Sequence, residues 1–376
     1  MRLLIAAGGT GGGVYPALAT VSALQEMSQS EGHLTVQWVG TQQGMEADLV
    51  QRAELPFVAI PGGAVVGVGP VRAVRNLFRL LGGLRQGLKI VRAFRPDVLL
   101  VTGGYTAVAL AIVASVRGIP LAVYLPDIEP GRAVRFVARL ATKVLVTAED
   151  SRRYLPASRV VVTGYPVRPE LVQAAHVPVA EARVHFGLAA HMRTVLVFGG
   201  SRGARSLNNA LLAGLPELLA DLELQIIHVS GTLDWPDVER WAKELPGGIQ
   251  ERYRVYPYLH EEMGLAMAAA DVAVSRAGAA SLGELPIFGL VAILVPYPHA
   301  WRYQKVNADA LQTQGAALRI NDEDLQAELV PALRALLADE ERLVAMQESS
   351  RALATPQAAV CIAEELLQMA EEASRP

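Results

Sequence analysis

Up to about Val162 the chain alternates short apolar runs with longer stretches of mixed polarity. RLLIAA, LTVQWVG, DVLLVTGG, PLAVYL and KVLVT are rich in Val, Leu and Ile, as expected of strands covered on both faces. Each precedes a helical or Gly-rich stretch. A second series opens near Arg193 with TVLVFGG, LQIIHVSG, RYRVYPY, VAVSRAG and VAILVPYP. Strands alternating with helices predict parallel sheets wound by right-handed crossovers. Two series predict an α/β chain of two doubly wound domains. The segment TGYPVRPE (163–170), with two prolines and a glycine, marks the junction. The expected division is 1–166, joined by an amphipathic C-terminal helix of about 356–376, against 167–355.

The length of 376 residues suits two domains, and 52% hydrophobic with 19% charged residues suits globular ones. A net charge of −3 gives no general attraction to nucleic acid. Cys361 is the only cysteine, so neither a disulfide framework nor a cysteine metal cluster can form, as suits a reducing cytoplasm. The N-terminal apolar run is broken at once by glycines, unlike a signal peptide. The longest apolar run, around Ala107–Val116, is too short to span a bilayer.

Three glycine-rich loops each follow a predicted strand: GGTGGG (8–13), TGGYTA (102–107) and GGSRGARSLN (199–208). Glycines let backbone N–H groups approach an anion, and the helix that follows adds partial positive charge. No loop reads as the P-loop of nucleotide hydrolases. The second strand ends Trp38-Val39-Gly40-Thr41-Gln42 without the acid that holds a dinucleotide's ribose, which argues against a nicotinamide enzyme. SRAGAASLGE (275–284) places small residues after a strand and then Glu284, a carboxylate able to accept two sugar hydroxyls; an ordinary solvated glutamate remains the alternative. PYPHAWRYQKVNA (296–308) adds a proline-stiffened loop with Gln304 and Asn307; His299 in it reads as structural.

GGTGGGVYPALA, GGY, VTGYPVRPE, FGGSRGARSLN, SRAGAASLGEL and PYPHAWRYQKVNA together resemble, in order and over almost the whole chain, the motif set of the bacterial MurG glycosyltransferases. The resemblance implies the GT-B-type arrangement of two Rossmann-like domains with an interdomain cleft. It also implies inverting transfer of N-acetylglucosamine from UDP-N-acetylglucosamine to lipid I, giving lipid II for peptidoglycan. By the same resemblance the backbone at Leu259 holds the uracil, while Ser201 and Arg168 hold ribose and diphosphate. Ala279 faces the phosphates with its N–H, and Glu284, Tyr303 and Gln304 lie at the donor sugar. Gly11, Gly12, Gly13, Gly103 and Gly104 receive the acceptor's diphosphate, with Thr10 and Tyr105 in the catalytic set.

The chain departs from the family pattern on the acceptor side. Gly13 stands where the family has a histidine, YLPD (124–127) replaces HEQN, and Tyr165 replaces an asparagine. Inverting transfer needs a base for the attacking hydroxyl. Asp127 is the candidate, its pKa raised by the neighbouring Glu129; the alternative is that Asp127 caps the turn into the helix after Pro130. No D-x-D follows a strand end, so no cofactor or metal is expected to be obligatory. Asp322-Glu323-Asp324 reads as a helix start. Lost catalysis with a scaffold role, the same donor on another acceptor, and a sugar-nucleotide epimerase are the other classes.

From Val71 to Arg95 the charges are Arg72, Arg75, Arg79, Arg85, Lys89, Arg92 and Arg95, with no acid, interleaved with Val74, Leu77, Phe78, Leu80, Leu81, Leu84 and Leu88. That pattern fits docking on an anionic lipid surface or an ordinary amphipathic helix pair packing on the sheet. Peripheral attachment to the cytoplasmic face of the bacterial inner membrane is expected.

Overall fold

The computed structural model describes residues 1–8, 11–28, 33–41, 46–61, 70–200, 203–221, 223–299 and 302–374, with backbone alone at 70–78, 105 and 221. The chain forms two compact units, Met1–Arg168 with Pro356–Pro376 and Pro169–Thr355. The boundary falls two residues beyond the expected one, so Arg168 belongs to the first unit.

In the first unit β1 (Arg2–Ala6), β2 (Thr35–Gly40), β3 (Phe57–Ala59), β4 (Val98–Val101), β5 (Leu121–Leu125), β6 (Lys143–Val146) and β7 (Val160–Val162) form one sheet in the order β3-β2-β1-β4-β5-β6-β7. Every pairing among them is parallel. The two-residue period of the strands divides their side chains between two cores. Leu4, Ala6, Leu99 and Val101 join one, against the helix Tyr105–Val116. Leu3, Ile5, Val98 and Leu100 join the other, against the helix Gly11–Ser28. The C-terminal helix Ala358–Ser374 adds Ile362, Ala363, Leu366 and Met369 to that second core. Lys143 Nζ also donates to Glu365 at 2.5 Å, tying that helix to β6.

The segment 70–94 is one helix, Pro70–Phe94, where a pair was the alternative. It lies on Tyr105–Val116, and glycine explains how closely: a Cβ on Gly87 would meet Leu110 at 3.1 Å. Leu84 and Leu88 pack on the core, while Arg85, Lys89 and Arg92 are exposed and Leu81 is 53% exposed. The side chains of Arg72, Arg75, Val74, Leu77 and Phe78 lie outside the described residues. None of the described helices is long and apolar enough to cross a membrane.

In the second unit β8 (Arg193–Phe198), β9 (Leu224–Val229), β10 (Tyr253–Tyr256), β11 (Val272–Ser275), β12 (Val291–Leu294) and β13 (Ala317–Arg319) run β10-β9-β8-β11-β12-β13, again all parallel. Helices Arg205–Asp221 and Leu325–Ala338 pack together over this sheet through Leu207, Leu211, Leu329 and Leu333. The acidic run behaves as read: Asp324 is the N-cap of Leu325–Ala338.

Both sheets reverse direction beside their first strand, between β1 and β4 and between β8 and β11. Open α/β sheets bind ligands at the carboxyl ends flanking such a reversal, because the two crossover loops separate there. The chain's four small-residue loops follow β1, β4, β8 and β11.

Candidate active site

In the second unit the loops after β8 and β11 enclose a cavity of about 230 Å³. Phe198, Gly199 and Gly200 line one side, Ser275, Arg276, Gly278 and Ser281 another, and Glu284 and Gln304 reach it from the helices that follow. The glycine loop is held tightly. A Cβ on Gly199 would fall 2.4 Å from the Ala204 nitrogen, and one on Gly203 (φ +80) would fall 2.2 Å from the Ser230 carbonyl oxygen. Only glycine fits either place.

The loop after β11 ends in a short 3-10 turn, Ala279–Leu282, and Glu284 opens the helix Glu284–Phe288. Gln304 sits in the first turn of Tyr303–Thr313. Its Oε1 accepts from the Tyr297 backbone N–H at 2.8 Å, which leaves its amide nitrogen as the donor. Acceptor-only Glu284 and donor-turned Gln304 on one cavity suit a polyhydroxylated ligand.

Arg276 has no role legible in its local sequence. Its guanidinium donates to the Val295 carbonyl at 3.3 Å, to Ser206 Oγ at 2.8 Å and to Asp322. It thereby ties the loop after β11 to the helix after β8. A charged residue inside a run of small ones was the available signal.

Behind the glycine loop, Asn208 Nδ2 donates to the Ser230 carbonyl and to Asp234, both at 2.9 Å, so its Oδ1 is left to accept from His228 Nε2 at 2.9 Å. His228 Nδ1 then accepts from the Tyr253 hydroxyl at 2.6 Å. Burial pushes the His228 pKa down to about 3, so the ring is neutral.

Of the other donor-side candidates, Ala279 is buried between the cavity residues Gly278 and Ala280, and Tyr303 is half-buried beside Gln304. Leu259 is buried in the segment between β10 and the helix Met263–Ala269, whose Met267 lines the cavity. Ser201 lies outside the described residues.

In the first unit the loops after β1 and β4 touch. Thr102 Oγ1 donates to the Gly13 carbonyl at 2.6 Å, and a Cβ on Gly104 (φ +89) would meet the Gly8 carbonyl at 3.2 Å. Gly11, Gly12 and Gly13 form the first turn of Gly11–Ser28, whose N–H groups have no partner within the helix. Gly103 (φ +142) and the N-cap Gly104 lead into Tyr105–Val116. Two glycine loops with free-ended helices at one sheet reversal suit an anion of two phosphates. Thr10 and the Tyr105 side chain lie outside the described residues.

Asp127 follows β5 and is half-buried; its charge contributes to raising the pKa of buried Tyr124, where burial itself is the larger cause. The N-cap of the helix Arg132–Leu140 is Gly131. Glu129 is buried and lies 3.7 Å from Arg135. The turn is fixed from behind. Thr147 Oγ1 donates to the Pro126 carbonyl at 2.8 Å and shares a 2.8 Å hydrogen bond with the Tyr124 hydroxyl. Tyr165 is buried, and Arg168 is half-buried over the ring of Tyr15. Among the described residues no cluster of His, Cys, Asp and Glu could hold a metal ion.

Residues 3–146 match the glycosyltransferase family 28 N-terminal domain and residues 194–362 its C-terminal domain. A relative from Roseiflexus sp. (strain RS-1), named UDP-N-acetylglucosamine--N-acetylmuramyl-(pentapeptide) pyrophosphoryl-undecaprenol N-acetylglucosamine transferase, is 40% identical over 96% of this chain and 93% of its own. A relative of the same name from Desulforudis audaxviator (strain MP104C) is 37% identical over 100% of both chains. Among solved structures, MurG of Acinetobacter baumannii aligns with a TM-score of 0.76 at 25% identity, covering 98% of this chain and 99% of that one. UDP-GlcNAc 2-epimerase from Neisseria meningitidis, at 13% identity and a TM-score of 0.68 over 98% of this chain and 100% of its own, shares the fold. Matched by both domain models and at this identity along its length, the chain belongs to glycosyltransferase family 28, in its MurG group.

Proposed function

We propose that the protein transfers N-acetylglucosamine from UDP-N-acetylglucosamine to lipid I, undecaprenyl-diphospho-N-acetylmuramoyl-pentapeptide, with inversion, forming lipid II and UDP. The observation that carries this reading is the pairing of glycine loops at both sheet reversals, with Glu284 and Gln304 on the cavity of the second. The names of full-length relatives support the same substrates.

Glu284 accepts from donor hydroxyls and Gln304 donates to the sugar. Leu259 takes the uracil through its backbone, and Ser201, Ala279 and Arg168 serve ribose and diphosphate. The acceptor's diphosphate lies on Gly11–Gly13 and Gly103–Gly104, with Thr10 and Tyr105 beside it. As the bond between the sugar's anomeric carbon and the UDP oxygen breaks, the acceptor hydroxyl attacks from the opposite face. Its proton passes to Asp127, and UDP leaves with its charge offset by Arg168 and backbone N–H groups. No metal is required in this scheme, so activity is expected to persist in EDTA.

The exposed cations and Leu81 of Pro70–Phe94 support docking on an anionic membrane surface, and the reading is of peripheral attachment to the cytoplasmic face of the inner membrane. Sedimentation with anionic vesicles at low salt checks this attachment, and protein left in the supernatant overturns it.

The altered acceptor side, Gly13 and YLPD, favours one second reading: the same donor with another glycolipid or small-molecule acceptor. Purified protein with radiolabelled UDP-N-acetylglucosamine and a short-chain lipid I analogue separates the two. Labelled lipid II supports the first. UDP binding without transfer to lipid I supports the second or a non-catalytic scaffold, and a screen of other acceptors tells these apart.

A further inference from the structure

Tyr15 lies one helical turn after Gly11 on Gly11–Ser28. Its ring occupies the place a side chain at position 11 would take: a Cβ there would meet ring atoms Cε2 and Cδ2 at 3.0 and 3.2 Å. Above the face of the same ring stands the Arg168 guanidinium, its Cζ 4.6 Å from the centroid. Glycine-loop backbone, aromatic ring and guanidinium are therefore in serial contact within the first unit.

Such a stack fixes a cation. The ring's negative face attracts the guanidinium, and packing removes rotamer freedom from a long side chain that would otherwise sample many positions. Both supports are themselves constrained. Tyr15 rides on a helix that buries Val14, Ala17 and Val21, and Arg168 is flanked by Pro166 and Pro169.

We propose that Tyr15 is a positioning residue for the transfer. It holds the Arg168 guanidinium in the orientation that meets the donor's diphosphate, and it ties that cation to the helix whose first turn receives the acceptor's diphosphate. Tyr15 acts through Arg168 and touches no substrate. The inference rests on the diphosphate role of Arg168 proposed above.

The test is UDP binding by titration calorimetry on the full chain without acceptor, followed by steady-state transfer. Tyr15→Leu keeps apolar bulk but removes the π face. UDP affinity is expected to fall about three- to tenfold, with kcat falling in parallel and thermal melting nearly unchanged. Tyr15→Phe, which keeps the face, restores both. Arg168→Ala weakens UDP further, and adding Tyr15→Leu to it costs nothing more, as two residues acting as a unit require. Wild-type UDP affinity in Tyr15→Leu, or a full additive loss on top of Arg168→Ala, overturns the proposal. Because binding is read without acceptor, a wild-type protein that binds UDP but transfers nothing to lipid I removes the proposed reaction and leaves the Tyr15 result readable. A wild-type protein that does not bind UDP overturns both.

Discussion

The two pairs of loops stand at equivalent places in their sheets, and glycines within them are held to different tolerances. After β8, Gly199 and Gly203 are pressed against Ala204 and Ser230 so closely that no Cβ fits, and Arg276, Ser206 and Asp322 lock the facing loop from the side. After β1, Gly13 differs. Its φ lies outside the left-handed region, and a Cβ would meet Thr102 Oγ1 at 3.4 Å and the Thr102 and Gly8 carbonyls at 3.5 and 3.6 Å, ordinary contact distances. The backbone therefore does not dictate glycine at position 13. The second unit resembles the family nearly throughout, departing at Tyr303, and the first departs from it at 13, 124–127 and 165. Glycine at 199 and 203 is a steric necessity; position 13 has room for a side chain.

The largest expected effect probes the altered side. Asp127→Asn keeps the shape of the turn and removes the proposed base, so kcat falls on the order of 10²–10⁴-fold, with UDP affinity kept within about twofold. A kcat within a few-fold of wild type would return the search to Thr10 and Tyr105. Gly203→Ala tests the rigid loop. With φ at +80 and the Ser230 carbonyl 2.2 Å from the new methyl group, it should cost about 2–4 kcal/mol in urea unfolding and abolish UDP binding.

The buried His228 network behind that loop makes stability depend on pH. The ring titrates at about 3 when folded and at roughly 6.5 when unfolded, so the unfolded chain binds the extra proton between those values. Its contribution is fully present above pH 6.5 and is lost as pH falls toward 3. From pH 7 to pH 5 the loss is about 2 kcal/mol, and in His228→Gln this component of the pH dependence disappears. Equal pH dependence in variant and wild type would contradict a neutral buried ring.

The smallest effect carries the comparison most directly. Gly13→Ala should be stabilising by about 0.5–1 kcal/mol, since it removes backbone freedom from the unfolded chain at a helical position that accepts a Cβ. Gly13→His should fold as well. Destabilisation by Gly13→Ala on the scale of Gly203→Ala would erase the distinction between the two positions.

Much of this was written in the order of residues. Both units, the glycine loops and ten strands followed from apolar runs punctuated by glycine, because a strand covered on both faces must be apolar throughout; the three-residue edge strands β3, β7 and β13 are too short to show such a run. Glu284 and Gln304 were legible as polar residues beside small-residue loops. The ion pair of Glu129 with Arg135, six residues further on, was not legible beside Asp127. Arg276 and Tyr15 were passed over because their meaning lies in partners that no local spacing reveals: Asp322, 46 residues away, and Arg168.

By itself, then, the chain determined two doubly wound α/β domains and four loops suited to phosphate, since hydrophobic period and glycine content act within a few residues. Only the tertiary structure decided which loops meet. Strand order brings Gly13 to Thr102 and sets Gly199 and Ser281 around one cavity, because a parallel sheet places side by side strands separated by whole crossovers, and the sequence carries no local mark of which neighbour each will choose.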